Sequence, residues 1–302
     1  MSEQRLPDFL GIGAPKCATT WLFEALRQHP GVFMPARKEV NYLHYGDAKE
    51  RFGEYVAHFV AARPDQLVGE FSTRYLQSVP SVARAKELIP DAKLIVSLRN
   101  PADQVWSHYW HFRRQNFHQT KPVERDVSLS DALVEFSDIL LGSAKYSTGL
   151  QRWLSAYPID RVHCVRFEDV ATKPTKTLRE LFAFLGVDAG SAVSGGQVAR
   201  KGTSPKSDSH EKIQRRLYAL LAHGPYRWLK STLGVERAET LKERLKVRHL
   251  FEWVFARRGY REMTLQERRL VWGALADEPE LVESLLGMEF PDWRRDRDQV
   301  LR

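Results

Sequence analysis

The densest run of residues able to do chemistry is Gly11–Trp21, GIGAPKCATTW. Glycines let a backbone close on an anion, successive amides and a helix amino terminus point donors at it, and Lys16 adds a full positive charge. Thr19 and Thr20 contribute hydroxyl donors. The order of residues excludes one common phosphate loop, since GxxxxGK[ST] needs glycine before the lysine and serine or threonine after it, where Pro15 and Cys17 stand. With that hydroxyl goes the expected magnesium ligand, and KLIVSL, which ends at Leu98 before Arg99, supplies no acidic residue for a metal. The anion is expected to be neutralised by protein cations alone. Arg99, with Ser107 eight residues later, offers a second such place. A guanidinium fork suits phosphate oxygens, and a hydroxyl early in a helix lies where an anion is favoured.

These residues need a scaffold that gathers strand ends. Phe9–Gly13 is a short apolar run ending in glycine, and Thr20–Gln28 carries Leu22, Ala25 and Leu26 at helical spacing. The pattern predicts a helix within 48–62, a short strand at Gln66–Gly69, a helix over Ser81–Ile89 closed by Pro90, and a strand at Lys93–Leu98. A long aromatic-rich helix to about Phe117 follows Asn100-Pro101, then a strand at Arg161–Phe167 and a helix over Thr172–Leu185 ended by Gly186. Strands alternating with helices predict an α/β fold, a parallel sheet covered on both faces with ligands at the carboxyl ends of its strands. After Ser207 the pattern reads as all helical, with Ile213, Leu217, Leu220 and Leu221 on one face and a capping box at Thr264–Glu267. The expectation is a single domain over 1–302, an α/β core at 1–207 with a helical carboxyl-terminal cover at 208–302.

Composition narrows the function classes. The chain has 302 residues, 43% hydrophobic and 28% charged, and no window approaches a membrane-spanning length of unbroken apolar residues. Its first residues lack the pattern of a secretory signal, so a cytoplasmic protein is expected. Two cysteines, Cys17 and Cys164, make neither a disulfide framework nor a zinc site. The net charge of +8 is localised, because Glu211–Arg261 alone carries 13 basic and 5 acidic residues. Solvated helix faces explain such a segment, and so does contact with an anionic membrane near a lipid acceptor, helped by Trp228, Phe251 and Trp253. No zinc finger, RNA-recognition signature or basic-aromatic repeat speaks for nucleic acid.

Taken in order, PKCATTW after the first strand, RNPADQVWSHY after KLIVSL, and YSTGLQRWLSAYP leading into RVHCVRFEDV resemble the sulfotransferases that use 3'-phosphoadenosine 5'-phosphosulfate (PAPS). The nearest likeness is to bacterial enzymes related to the heparan sulfate sulfotransferases. The resemblance spans residues 9–210, with a weaker echo at LVESLLGMEFPDW. It implies a P-loop nucleotide-kinase-like fold and metal-free transfer of a sulfuryl group to an acceptor, leaving 3'-phosphoadenosine 5'-phosphate (PAP). Lys16, Cys17, Ala18, Thr19, Thr20 and Trp21 then match the 5'-phosphosulfate loop, and Arg99 with Ser107 the grip on the 3'-phosphate. Arg200, Lys201 and Gly202, in ARKGTSPKS, match a later loop that closes over that phosphate.

Transfer to a hydroxyl also needs a group to take the acceptor proton. Glu39, in ARKEVNYLH, resembles the family's glutamate base, with Lys38 beside it to orient the leaving group or acceptor, and His44 is the alternative base. GEFSTRYL resembles the next family segment and makes Glu70, Ser72 and Arg74 candidate acceptor-site residues. Asn41 stands where animal members have histidine and Phe71 where they often have lysine at a sugar-facing position, departures that argue against a polyanionic glycan. A small molecule, lipid or carbohydrate acceptor remains. The competing readings are a small-molecule or nucleotide kinase and a non-catalytic anion-binding protein.

Overall fold

The computed structural model describes residues 5–45, 50–114, 127–191, 203–205, 256–258 and 261–302. The described parts of Met1–Tyr109, Val123–Ala199 and Met263–Arg302 form one compact unit, and those of Trp110–Pro122 and Arg200–Glu262 a second.

The first unit opens with β1 (Phe9–Gly13), α1 (Thr19–Arg27), β2 (Val32–Phe33), a 3-10 turn at Tyr42–His44 and α2 (Phe52–Ala57). Next come β3 (Leu67–Phe71), α3 (Val79–Leu88), β4 (Lys93–Leu98) and α4 (Pro101–Arg114). Then follow α5 (Leu129–Glu135), α6 (Ser137–Leu140), α7 (Tyr146–Ala156), β5 (Val162–Arg166), α8 (Phe167–Thr172) and α9 (Pro174–Leu185). The five strands make one parallel sheet in the order β2-β3-β1-β4-β5, the expected α/β class. Because β1 lies between β3 and β4, the chain reverses direction across the sheet there, which opens a crevice at the carboxyl ends of those three strands.

All five residues of β1 are buried. Its glycines answer a packing demand: a Cβ on Gly11 would lie 2.2 Å from Cγ of Phe71, and one on Gly69 would lie 1.9 Å from Cζ of Phe9. The core on the α1 and α9 side joins Phe9, Trp21, Leu22, Phe71, Ile95, Val165, Leu181 and Phe182. Phe71 is therefore core, fully buried across from Gly11, and its side chain is not at an acceptor surface as the sequence suggested.

Several expectations needed revision. The helix within 48–62 is only Phe52–Ala57 among the described residues, and the strand expected at Gln66–Gly69 runs on to Phe71 because Glu70 and Phe71 pair with Leu10 and Gly11. The edge strand β2 is two residues long, too short to leave a periodic signature. The all-helical reading beyond Ser207 is corrected in the second unit, where β6 (Thr203–Pro205) pairs antiparallel with β7 (Ala256–Arg258). A three-residue strand among basic residues carries no alternation to read.

Three helices close the first unit: α10 (Leu265–Leu275), α11 (Glu278–Leu286) and α12 (Pro291–Leu301). The capping box at Thr264–Glu267 is present, with both reciprocal bonds formed. Glu278, 6% exposed, accepts from the Ser147 amide at 3.0 Å and the Ser147 hydroxyl at 2.7 Å, joining α11 to the start of α7. No described helix is long and apolar enough to cross a membrane.

The fit of Phe71 against Gly11 yields a test. Gly11→Ala should destabilise the protein by about 1–3 kcal/mol, the usual result of overpacking. Replacing Phe71 by Leu in the same chain should recover part of that loss, as read from thermal or urea unfolding.

Candidate functional site

The loop between β1 and α1 leaves the strand at Gly13 and turns into the helix through two left-handed residues, Lys16 (φ 67°) and Ala18 (φ 59°). A non-glycine residue there costs roughly 1–2 kcal/mol, so its surroundings must enforce it. They do. The Ser97 hydroxyl donates to the Cys17 carbonyl at 2.5 Å, the Ala14 amide donates to the Ser97 carbonyl at 2.8 Å, and the Gln104 amide donates to the Pro15 carbonyl at 3.2 Å. β4 and α4 thus hold the loop through the carbonyls of Pro15 and Cys17 and the amide of Ala14. The first turn of α1 contains no acidic residue. Thr19 is buried, Thr20 exposed, and Trp21 7% exposed. Burial pushes the Cys17 thiol up to about 12, so it stays protonated and serves as packing.

Arg99 follows β4 directly. Its guanidinium carbon lies 4.3 Å from the centre of the Phe167 ring, and its Nε is buried without a hydrogen-bond acceptor. A buried donor left unpaired costs about 1–3 kcal/mol, a penalty that an anion's oxygen would remove. The Tyr146 hydroxyl donates to the Arg99 carbonyl at 3.1 Å and lies 3.8 Å from the Cys17 sulfur. One side chain therefore spans the two anion-binding segments. Ser107, 6% exposed, sits on α4, whose start is capped by Asn100: its side-chain oxygen accepts from the amides of Ala102 at 3.0 Å and Asp103 at 3.2 Å.

Asn100 is itself fixed from both ends. Its amide donates to Glu168 at 2.8 Å and its side-chain nitrogen to Asp296 at 2.9 Å. Asp296 receives three bonds from Arg268, from Nε to its two oxygens at 2.7 and 3.0 Å and from the guanidinium terminus at 2.6 Å, and one from the Trp272 indole at 2.9 Å; Arg268 also reaches Asp103 at 2.9 Å. The carboxyl-terminal helices thus hold the residue next to Arg99.

Glu39 lies on a turn beside the end of β3. Its backbone is left-handed (φ 65°), as is that of Asn41 (φ 58°). The Glu39 amide donates to the Phe71 carbonyl at 3.0 Å, and its carboxylate accepts from the Thr73 amide at 2.9 Å and the Thr73 hydroxyl at 3.1 Å. Lys38 pairs with it at 2.5 Å. Since the Glu39 side chain keeps 32% of its exposure, the carboxylate is oriented and still reachable.

The structure brings Lys16, Cys17, Ala18, Thr19, Thr20, Trp21, Arg99 and Ser107 to neighbouring strand ends, and Lys38 with Glu39 to the end of β3. Glu70 and Ser72 are fully buried and bonded to each other at 2.6 Å, whereas Arg74 is exposed. Arg200, Lys201 and Gly202 lie outside the described residues, as does most of 211–261. Sequence reasoning missed Thr73, Tyr146, Phe167 and Asp296. Thr73 lies inside a segment already singled out, but nothing in a sequence joins Tyr146 or Asp296 to Arg99.

Residues 6–213 match the sulfotransferase domain family. The chain belongs to that family. Over 199 residues it is 31% identical to the bifunctional heparan sulfate N-deacetylase/N-sulfotransferase 2 of Homo sapiens, a match covering 61% of this chain and 22% of that protein. The membrane-associated sulfotransferase kil1 of Dictyostelium discoideum is 21% identical over 267 residues, 61% of this chain and 56% of that one. A crystal structure of a sulfotransferase from Alicyclobacillus acidocaldarius shares the fold, with a TM-score of 0.54 at 24% identity, over 74% of this chain and 99% of that chain. The chain thus matches only a fraction of the length of the human relative.

His44 in this sulfotransferase-family chain accepts or donates one bond, to the Ser78 hydroxyl at 3.1 Å. Burial first, then the charges of Arg74 and Arg84, lower its pKa below the ordinary 6.5. Between that lowered value and 6.5 the unfolded chain binds more protons, so His44's contribution to stability is whole above pH 6.5 and is lost as pH falls through the window beneath it. Arg74→Gln should move the imidazole titration, followed by NMR, back toward 6.5; an unchanged titration would show that Arg74 exerts no field there.

Proposed function

We propose that the chain is a PAPS-dependent sulfotransferase, transferring a sulfuryl group to a nucleophilic acceptor atom and releasing PAP. The observation that carries this reading is Arg99, an arginine whose buried Nε has no hydrogen-bond acceptor, tied through Tyr146 to a strained cationic loop in a chain of the sulfotransferase family.

PAPS would supply a sulfuryl group already bonded to a good phosphate leaving group. Arg99 and Ser107 would hold its 3'-phosphate, while Lys16, the loop amides and Thr19 and Thr20 would surround its 5' end. As the acceptor oxygen bonds to sulfur and the sulfur–oxygen bond to phosphate breaks, Lys16 would neutralise the charge that appears on the departing phosphate oxygen. Glu39 takes the acceptor's proton. Its bonds from the Thr73 amide and hydroxyl and from Lys38 fix the direction of the carboxylate, which stays partly exposed. His44 supplies the alternative base, its lowered pKa keeping it neutral and able to accept a proton. Thr73, which lies in the same GEFSTRYL segment as Glu70, Ser72 and Arg74, bonds the base directly.

The acceptor class best supported is a carbohydrate hydroxyl or amine, because the human relative is named for N-sulfation of heparan sulfate. Lipid and small-metabolite hydroxyls would use the same chemistry. Transfer without a metal ion belongs to this reading, and so does the kinase alternative's failure.

Calorimetry with PAP and with adenosine diphosphate, both in the presence of a chelator, tests it. PAP should bind more tightly than the diphosphate. Arg99→Ala should weaken PAP about 10–100-fold, the equivalent of roughly 1.5–3 kcal/mol for a charged hydrogen bond, and leave the diphosphate nearly unchanged. Lys16→Ala should weaken both. Equal affinity for the two nucleotides, or binding that needs magnesium, would replace this reading with that of a kinase.

A further inference from the structure

Beneath the turn that carries Glu39 lies a buried carboxylate, Glu70, fully shielded from solvent. It takes three hydroxyl donors: Tyr55 at 2.8 Å on one oxygen, and Ser72 and Tyr75 on the other, both at 2.6 Å. A carboxylate only accepts, so each hydroxyl that points its proton at it must turn its lone pairs elsewhere. Those lone pairs have defined destinations. The Asn41 amide donates to the Ser72 oxygen at 2.9 Å, and the Leu43 amide donates to the Tyr75 oxygen at 3.2 Å.

We propose that Glu70 is a positioning residue for Glu39: the oxygen shared by Ser72 and Tyr75 fixes the direction of both hydroxyls, and they in turn hold the backbone of the Glu39 turn. The proposal rests on Glu39 being the base. Glu39 and Asn41 are both left-handed, and the Asn41 side chain donates to the Glu39 carbonyl at 2.9 Å, so the turn is held at its amides, its carbonyl and its carboxylate. Without the anchored amides of Asn41 and Leu43, the turn would relax toward less strained backbone and Glu39 would leave Thr73. Burial, and to a smaller extent the charge of Glu39, raises the Glu70 pKa, and the bonds from Ser72, Tyr75 and Tyr55 offset part of that rise. No part of Glu70 reaches solvent, so it acts through the turn and not on the acceptor.

Two measurements test the relay. In the protein without nucleotide, Ser72→Ala should speed hydrogen exchange at the Asn41 amide and leave Leu43 protected, and Tyr75→Phe should do the reverse. Glu70→Leu should expose both, while Glu70→Gln, whose carbonyl oxygen can take the shared position, should preserve both. The second measurement follows PAP release from PAPS with water as the acceptor. Ser72→Ala should slow it about tenfold in the parent chain and not at all further in a Glu39→Gln background, with PAP affinity unchanged throughout. Losses that multiply in the double variant would overturn the relay, as would Asn41 exchange unaffected by Ser72→Ala. Were Glu39→Gln itself without effect, the assignment of the base would fail instead, and the exchange data would still show whether Glu70 orders the turn. Should Glu70→Leu not fold, the Ser72 and Tyr75 variants decide the matter alone.

Discussion

The site depends on how closely β1 and β3 approach. Gly11 and Phe71 are register partners, and the aromatic ring occupies the space that any side chain at residue 11 would need. That contact sets the height at which β3 ends beside the phosphate loop. Just beyond it, the Ser72 amide donates to the Gly11 carbonyl at 2.9 Å and the Leu76 amide to the Ile12 carbonyl at 2.7 Å. The segment that holds Glu39 is in this way bonded to the strand that delivers Lys16, so the Glu39 turn and the Lys16 loop share one support.

Around that support, four non-glycine residues among those described adopt left-handed backbone: Lys16, Ala18, Glu39 and Asn41. All four belong to the two loops that face the crevice. Strain gathered in this way is maintained by neighbours that grip from behind, Ser97 and Gln104 for the first loop and Ser72, Tyr75 and Thr73 for the second. The grip falls mainly on carbonyls in the first case, those of Pro15 and Cys17, and mainly on amides and a carboxylate in the second, those of Asn41, Leu43 and Glu39. The polarity of the anchoring bonds thus distinguishes a loop that receives negative charge from a turn that presents it.

Much of this was legible in the sequence, for physical reasons that differ between elements. KLIVSL and FLGIG are buried on both faces, so continuous apolar runs mark β4 and β1 without ambiguity. Lys16, Arg99 and Ser107 announce themselves by charge and position after a strand. What the sequence concealed were contacts between distant segments. Tyr146 reaches Arg99 across 47 residues and Asp296 reaches Asn100 across 196, and no local pattern encodes either. Phe71 misled for a related reason: a residue at the end of a strand reads as surface until the glycine opposite it is seen to leave a socket. Glu70 likewise reads as a surface carboxylate, and only the three hydroxyls around it make its burial intelligible.

The Arg268–Asp296–Asn100 network bears on how the protein is made. The parallel sheet is complete once β5 has been synthesised, yet Asp103 and Asn100 find their partners only when α10 and α12 arrive. Until then the cap of α4 lacks its Arg268 and Asp296 partners, while Arg99 is already held through Tyr146 and through the Asn100 amide on Glu168. The α4 cap beside Arg99 should therefore mature last during biogenesis, after the sheet has formed. A nascent chain still awaiting its final helix would hold the sheet while lacking Trp293 and Val300 of the core and the Asp296 end of that cap.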